Sequence, residues 1–359
     1  MRQTVSKRVT ARITGTGSYL PVETVDNFDL YELGTLKSSF DVDKGRASLK
    51  DIEEVEDLSD SEVFDLWARQ VTGIEMRRRL TPESGLTTED MCAAACSAAL
   101  EAAGCGATDM DLLIAASLTV SDEVPNAACT VANKIGAPQL GGYALNAACA
   151  GYVYAIGAAW SAILSGMARR VLVVAGDTLT RFVDYDDVQT AVLFGDGAGA
   201  CVLERTEEDI GLMGPPAAGG EFDRTPLFLR GQKWEEEGGP SPVIHMDGGP
   251  RILRNAVMTM ADVAHQALTQ ADLTWADVDV VIPHQANLRI TKGLEKQLEL
   301  SKGRVIHNIQ RYGNMSAATV AITLDEYVRG LHGPVAVPST IVLTAIGGGY
   351  TKGALVVRI

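Results

Sequence analysis

Apolar residues at helical spacing alternate along this chain with short, continuously apolar runs, and the order repeats. Thr87-Thr88-Glu89-Asp90 opens a helix whose small and apolar positions continue to Ala103, with Thr87 placed as the N-cap. Asp111 to Leu118 reads as a buried strand, Asn126 to Ile135 as a helix closed by Gly136, and Tyr143 to Asn146 as a strand. An apolar helix from about Ala150 to Met167 and a strand from Arg170 to Ala175 follow. Ahead of them, Val9 to Tyr19 alternates apolar and small residues as a strand running into a loop. This alternation predicts a mostly parallel sheet covered by helices. Thr206 to Gly249, rich in Gly, Pro and Glu, reads as an irregular crossover. Beyond it come a helix from about Ile252 to Ala271, a strand at Val278 to Ile282 and a helix from Asn287 to Leu300. A helix over about Ala317 to Val328 and strands at Thr340 to Ala345 and Gly353 to Val357 complete the series. Two halves of similar grammar, 1–205 and 206–359, without detectable sequence identity between them, suggest a duplicated α/β fold.

Two segments stand apart. Asp41 to Asp65 carries ten acids against three bases and reads as a solvated, partly helical acidic insertion over about 41–65. Gly195-Asp196-Gly197-Ala198-Gly199-Ala200 fits G-x-G-x-x-A, but the strand pattern Cys201-Val202-Leu203-Glu204 follows it where a dinucleotide loop needs a helix. These glycines instead allow a close approach of backbones.

Composition narrows the class. With 46% hydrophobic and 21% charged residues the chain has the make-up of a soluble globular protein of 359 residues. No apolar run is long enough for a membrane span, and no apolar core follows Met1 to Arg8, so a cytoplasmic protein is expected. The net charge of −15 disfavours nucleic acid, and an acidic partner would have to dock on a local basic patch. Six cysteines without a CxxC pair argue against a disulfide framework. Cys92 and Cys96 share a helix with no histidine or third cysteine nearby, so no metal site is expected.

The candidate chemistry centres on Cys149. It lies where a strand gives way to a helix, and the free amides and partial positive charge of a helix N-terminus favour a thiolate and an adjacent oxyanion. A depressed thiol pKa is therefore expected there, although a small buried residue at an Ala-rich helix start would look the same. His284 follows a buried strand, where ligands collect in open α/β sheets. Asn314 stands in a Gly-preceded turn ahead of a helix, and Gly347-Gly348-Gly349 let backbone N–H groups approach a substrate.

Ala148-Cys149-Ala150-Gly151-Tyr152, Phe194 to Ala200, His284-Gln285-Ala286-Asn287, Tyr312 to Ala318 and Gly347-Gly348-Gly349-Tyr350-Thr351 resemble, in order and spacing, the motifs of the β-ketoacyl-[acyl carrier protein] synthase III family of thiolase-like condensing enzymes. The resemblance covers about Arg8 to Ile359 apart from the acidic segment. It implies a duplicated five-layered α/β/α/β/α fold, a homodimer and a Cys149-His284-Asn314 triad, with the amides of Cys149 and Gly348 as the oxyanion hole. It further implies acyl transfer onto Cys149 from a coenzyme A or acyl carrier protein thioester, then decarboxylative Claisen condensation with a malonyl thioester. Neither a metal nor an organic cofactor is called for. A neutral His284 and the Asn314 amide would hold the enolate as hydrogen-bond donors. Asn287 and Ile346 fall among substrate-binding positions, and Arg289, Lys292 and Lys296 form a basic helix face matching the family's carrier-protein dock.

Departures from the family sharpen the substrate question. Trp67 matches the tryptophan that stacks on the adenine of coenzyme A, but two arginines that usually hold that adenine and its phosphate are Val71 and Val188 here. An acyl carrier protein is thus favoured as donor unless Arg69 or Arg77 to Arg79 compensate. Val124 stands where a phenylalanine often closes the partner subunit's acyl pocket, so acyl groups bulkier than acetyl, and a setting in secondary metabolism, are expected. The acidic segment lies beside Trp67, where it is placed to gate a substrate. A non-decarboxylating acyltransferase and a silent carrier-binding dimer stay open as alternatives.

Overall fold

The computed structural model describes residues 9–50, 52–223, 227–229, 243–246 and 249–359. Expectations placed on residues 1–8, on Asp51 and on the rest of the crossover lie outside them. None of the helices searched among the described residues is long and apolar enough to cross a membrane.

Two five-stranded sheets carry the chain. The first runs in the order Thr10–Tyr19, Asp196–Thr206, Arg170–Thr178, Leu112–Ala116, Gly142–Leu145. In the second, Val280–Pro283, Thr340–Gly347 and Gly349–Arg358 are neighbours, and Gly211–Leu212 and Ala217–Asp223 both pair with Gly349–Arg358. The sheets are mixed rather than mostly parallel. Arg170–Thr178, Leu112–Ala116 and Gly142–Leu145 pair parallel through helical crossovers, whereas Thr10–Tyr19 and Arg170–Thr178 both pair antiparallel with Asp196–Thr206. Thr340–Gly347 and Gly349–Arg358 follow each other with a single residue between them, and so short a connection admits only an antiparallel pair.

Burial on both faces explains why these strands read as unbroken apolar runs. In the first sheet Ile114, Val173 and Leu203 face inward on helices Gly151–Leu164 and Ala318–Val328, while the alternate Leu113, Leu172 and Val202 face outward on Thr88–Ala103 and Ala127–Lys134. The second sheet repeats the device. Ile282, Leu343 and Leu355 join the same central layer, and Val281, Val342 and Val356 pack outward on Gly249–Gln270 and Leu288–Gln297. Helix, sheet, helix, sheet, helix is the result: a thiolase-like five-layered α/β fold.

The alternating glycines of Asp196–Thr206 press this strand onto the second half. A Cβ on Gly197 would lie 2.7 Å from Met315 Sδ, and one on Gly199 would lie 2.6 Å from Ala321 Cβ. The acidic segment differs from expectation. Most of its described charges face solvent, but Leu49, Val63 and Phe64 are buried in a core shared with the flanking Phe40 and Ala68, and buried Asp65 accepts from Asn27 and Arg69 at 2.9 and 2.8 Å. Counting charge conceals such a helix, because one apolar face is enough to anchor it. The crossover also holds more structure than its composition suggests. Ala217–Asp223 is a strand because Gly349–Ala354 offers it an edge, a tertiary cause that local propensity does not register.

Candidate functional site

Cys149 sits on a tight corner. Between the strand Gly142–Leu145 and the helix Gly151–Leu164, Ala148–Ala150 form one 3-10 turn, with Ala148 in the left-handed region at φ 48°. For a residue with a Cβ that conformation costs on the order of 1–3 kcal/mol and persists only where its surroundings impose it. Here Asn146 Oδ1 accepts the Ala148 N–H at 3.0 Å, and Ala147 O accepts the Thr351 hydroxyl at 2.6 Å, which ties the corner to the second sheet. The glycine run completes the approach. A Cβ on Gly347 would stand 2.8 Å from Cys149 N and 2.9 Å from Ala148 Cβ.

His284 follows the strand Val280–Pro283, and its N–H donates to Thr344 O at 2.8 Å. Asn314 is clamped by its own backbone: its N–H donates to Leu193 O at 2.8 Å, and its carbonyl accepts the Gly195 N–H at 3.0 Å. Its side-chain oxygen accepts the Ser316 N–H at 2.9 Å, which fixes the amide orientation and leaves Nδ2 as the free donor. Cys149, His284, Asn314 and Gly348 all line one cavity of about 280 Å³. Its remaining wall is largely apolar, with Leu227, Met246, Ile252, Leu253 and Ile346 among its residues.

Burial sets the electrostatics. It pushes the Cys149 thiol up to about 12, against the opposing pull of the nearby Ser316 hydroxyl and of Cys149's own amide. The expected depressed thiol is therefore corrected, because a helix N-terminus acts on a buried residue, only 8% exposed, whose thiol has lost its water. The Ser316 hydroxyl, itself fully buried, stops short of full hydrogen-bond geometry with either the thiol or Asp177. Burial also lowers His284 to about 3, so its ring is neutral at physiological pH. Among the described residues no hydrogen bond joins the thiol to that ring; Nδ1 instead meets Thr319. Beneath them the buried Asp177 is raised to about 6 by the same loss of solvent.

Trp67, Val71, Asn287 and Arg289 also reach the cavity wall. Trp67 is backed by Phe40, their ring centroids 5.1 Å apart. The Asn287 amide is already engaged, with Oδ1 capping Arg289 N at 2.8 Å and Nδ2 donating to Val71 O at 2.9 Å. The arginines that might have replaced those lost at 71 and 188 are committed elsewhere. Arg69 pairs with Asp65, the buried Arg77 donates to Asn27 and to backbone carbonyls, Arg78 covers Tyr312 and Arg79 covers Tyr185. Val124 lies off the cavity, 88% exposed, just before the helix Ala127–Lys134. Arg289, Lys292 and Lys296 are exposed on the helix Leu288–Gln297 and form no ion pair among the described residues.

Sequence reasoning stopped short of Asp177, Ser316 and Thr319. Ser316 lies inside the Asn314 motif, so its position was visible; its left-handed φ of 51° and its contacts were not.

Comparisons with known proteins agree along the whole chain. The family described as 3-oxoacyl-[acyl-carrier-protein (ACP)] synthase III matches residues 143–214, and its C-terminal counterpart matches 268–359. A β-ketoacyl-[acyl-carrier-protein] synthase III of Desulfitobacterium hafniense is 35% identical over 356 residues, covering 98% of each chain. The crystal structure of a 3-oxoacyl-[acyl-carrier-protein] synthase III from Aquifex aeolicus superposes with a TM-score of 0.82 at 34% identity, over 97% of this chain and 100% of that one. That of a priming β-ketosynthase of a polyketide biosynthetic pathway gives a TM-score of 0.82 at 30% identity, over 100% and 99%.

Proposed function

The chain belongs to the 3-oxoacyl-[acyl-carrier-protein] synthase III family of condensing enzymes, and from that premise we propose that it loads an acyl group other than acetyl onto Cys149 and condenses it with a malonyl thioester. The observation that carries this reading is the convergence of Cys149, His284, Asn314 and Gly348 on a single, mostly apolar cavity.

In the first half-reaction the sulfur of Cys149 adds to a thioester carbonyl, and the amides of Cys149 and Gly348 hold the oxyanion. Each such donor is worth about 2.7–4 kcal/mol. Because burial raises the thiol pKa, the proton leaves as the sulfur attacks. The tetrahedral intermediate then collapses with cleavage of the donor C–S bond, and the departing thiolate takes up the proton to leave as the free donor thiol. In the second, a malonyl thioester loses CO₂ and the enolate oxygen accepts from Asn314 Nδ2 and the His284 ring. The enolate carbon bonds to the acyl carbonyl, the C–S bond breaks, and the Cys149 thiolate takes a proton from solvent. A neutral ring suits this step, since it donates without giving its proton away.

An acyl carrier protein is the favoured donor over coenzyme A. Supporting this are the valines at 71 and 188, the engagement of Arg69 and Arg77 to Arg79 elsewhere, and the unpaired basic face of Arg289, Lys292 and Lys296 on a chain of net charge −15. Homodimerisation is supported by the Gly142–Leu145 strand, which ends its sheet and exposes Tyr143 to 39%. A partner paired on that edge would receive Val124, whose small side chain leaves room for longer or branched acyl groups. Setting in secondary metabolism accords with that preference.

Intact-protein mass spectrometry tests the reading. Acyl carrier thioesters of graded chain length should each be followed by malonyl thioester. A Cys149 adduct discharged with CO₂ release is expected, and Cys149→Ala should carry none. An adduct from acetyl thioesters alone would refute the acyl preference. Discharge only to an added alcohol or amine would instead make the protein a non-decarboxylating acyltransferase, and no adduct at all a silent carrier-binding dimer.

A further inference from the structure

Behind His284 a single hydroxyl faces two acceptors. Thr319 is fully buried, and its Oγ1 lies 2.7 Å from His284 Nδ1 and 2.9 Å from Ser316 O, while accepting the Gln285 N–H at 3.2 Å. A threonine hydroxyl has one proton to give, so its direction decides which ring nitrogen carries the imidazole hydrogen. Ser316 O does not depend on it, because the Thr319 N–H also reaches that carbonyl at 3.2 Å. Nδ1 has no other donor among the described residues. The 2.7 Å separation falls at the mode for an O–H donor and at the short end of the range for an N–H donor.

We propose that Thr319 is a positioning residue for His284: its hydroxyl donates to Nδ1 and so keeps the ring hydrogen on Nε2, the nitrogen left for the cavity. The inference rests on the condensing role proposed above and names what makes His284 fit for it. A malonyl carboxylate departs as CO₂, its bonding pair stays behind as the enolate, and Nε2–H and Asn314 Nδ2 donate to the enolate oxygen; no proton is transferred. Without the hydroxyl, Nδ1 loses the donor that holds it as an acceptor, and the Ser316 backbone, which already favours the protonated ring, lets the hydrogen sit on Nδ1. Nε2 would then present a lone pair to a developing oxyanion, which repels it. Thr319 touches neither substrate nor the reacting atoms; it acts through the ring.

Thr319→Val removes the hydroxyl at nearly constant shape, and Thr319→Ser returns it. Nitrogen-15 NMR of histidine-labelled protein reads the tautomer directly, with His284→Asn identifying the signal among the five histidines. Wild type and Thr319→Ser are expected to show Nε2–H, and Thr319→Val Nδ1–H. The two half-reactions, followed separately, should divide: Thr319→Val forms the acyl-Cys149 adduct at the wild-type rate but loses about 10²-fold in malonyl-dependent CO₂ release, the scale of one lost oxyanion donor. An Nδ1–H signal in the wild-type protein overturns the proposal without any variant. So does a Thr319→Val protein in which both half-reactions fall together, the mark of a packing role. The tautomer is read whether or not malonyl thioesters prove to be substrates, so failure of this proposal and failure of the condensing reading are told apart.

Discussion

Gly347→Ala is a sharp test of how the site is assembled. The added methyl would stand 2.6 Å from Thr351 Oγ1, 2.8 Å from Cys149 N and 2.9 Å from Ala148 Cβ, all closer than a real Cβ tolerates. Two of these neighbours belong to the left-handed corner that holds the nucleophile, so the backbone has to yield there. Relief by general repacking costs about 1–3 kcal/mol of stability. Displacing the Cys149 amide from the oxyanion costs a further factor of about 10²–10³ in acylation. Gly348→Ala supplies the contrast. There a Cβ comes no nearer than 3.4 Å, to Leu227 O, an ordinary contact, and the amide keeps its place. Time-resolved intact mass of the Cys149 adduct, with thermal unfolding to confirm that each variant is folded, separates the two. Gly347→Ala is expected to lose acylation far more than Gly348→Ala. Equal acylation rates in Gly347→Ala and wild type, at unchanged melting temperature, would show that the corner does not depend on the glycine approach.

Burial holds His284 near 3, so the ring gains a second proton only below that pH and stays neutral from about pH 5 to 9. Malonyl-dependent CO₂ release should then show no acid limb from His284 near its ordinary value, and such a limb that disappears in His284→Gln would contradict the assignment. Val71→Arg restores a cation at the cavity wall; an exposed charge pair contributes up to about 1 kcal/mol, so KM for an acyl-coenzyme A should fall about fivefold, with an unchanged KM counting against a missing adenine clamp. Charge reversal in Lys292→Glu/Lys296→Glu should raise KM for carrier-bound thioesters about tenfold in a salt-dependent way and spare short thiol thioesters, whereas equal effects on both would place the dock elsewhere.

Much of this architecture was legible because local signals and tertiary outcome coincide. Thr87 caps its helix with Asp90 in a reciprocal box, Asn126 caps the next, and Asn287 caps the helix bearing the basic face. The glycine run from Gly195 correctly implied close backbone approach, since only missing side chains permit contacts of that kind. Other features depend on what a segment meets in space. Leu49, Val63 and Phe64 sit in a stretch that reads as acidic because its neutral face is hidden among its charges. Ala217–Asp223 acquires strand structure from an edge supplied more than a hundred residues later. The Cys149 thiol shifts upward rather than down because the helix terminus is visible in sequence and the depth of burial is not. Thr319 escaped notice for a related reason: a threonine in an Ala-rich helix start carries no mark of the histidine it will meet from another strand.

The pairing of Thr10–Tyr19 with Asp196–Thr206 also bears on biosynthesis. Its register sets Thr10 opposite Thr206, so a strand made early in this half finds its mate almost two hundred residues later. At about 5–20 residues per second, the intervening chain takes roughly 10–40 s to be made. For that interval a strand destined to be paired is an open edge, the kind of surface on which neighbouring nascent chains associate. Once it closes, the same glycine-lined strand offers its face to the half that brings His284 and Asn314, so the capacity to react waits on the synthesis of both halves.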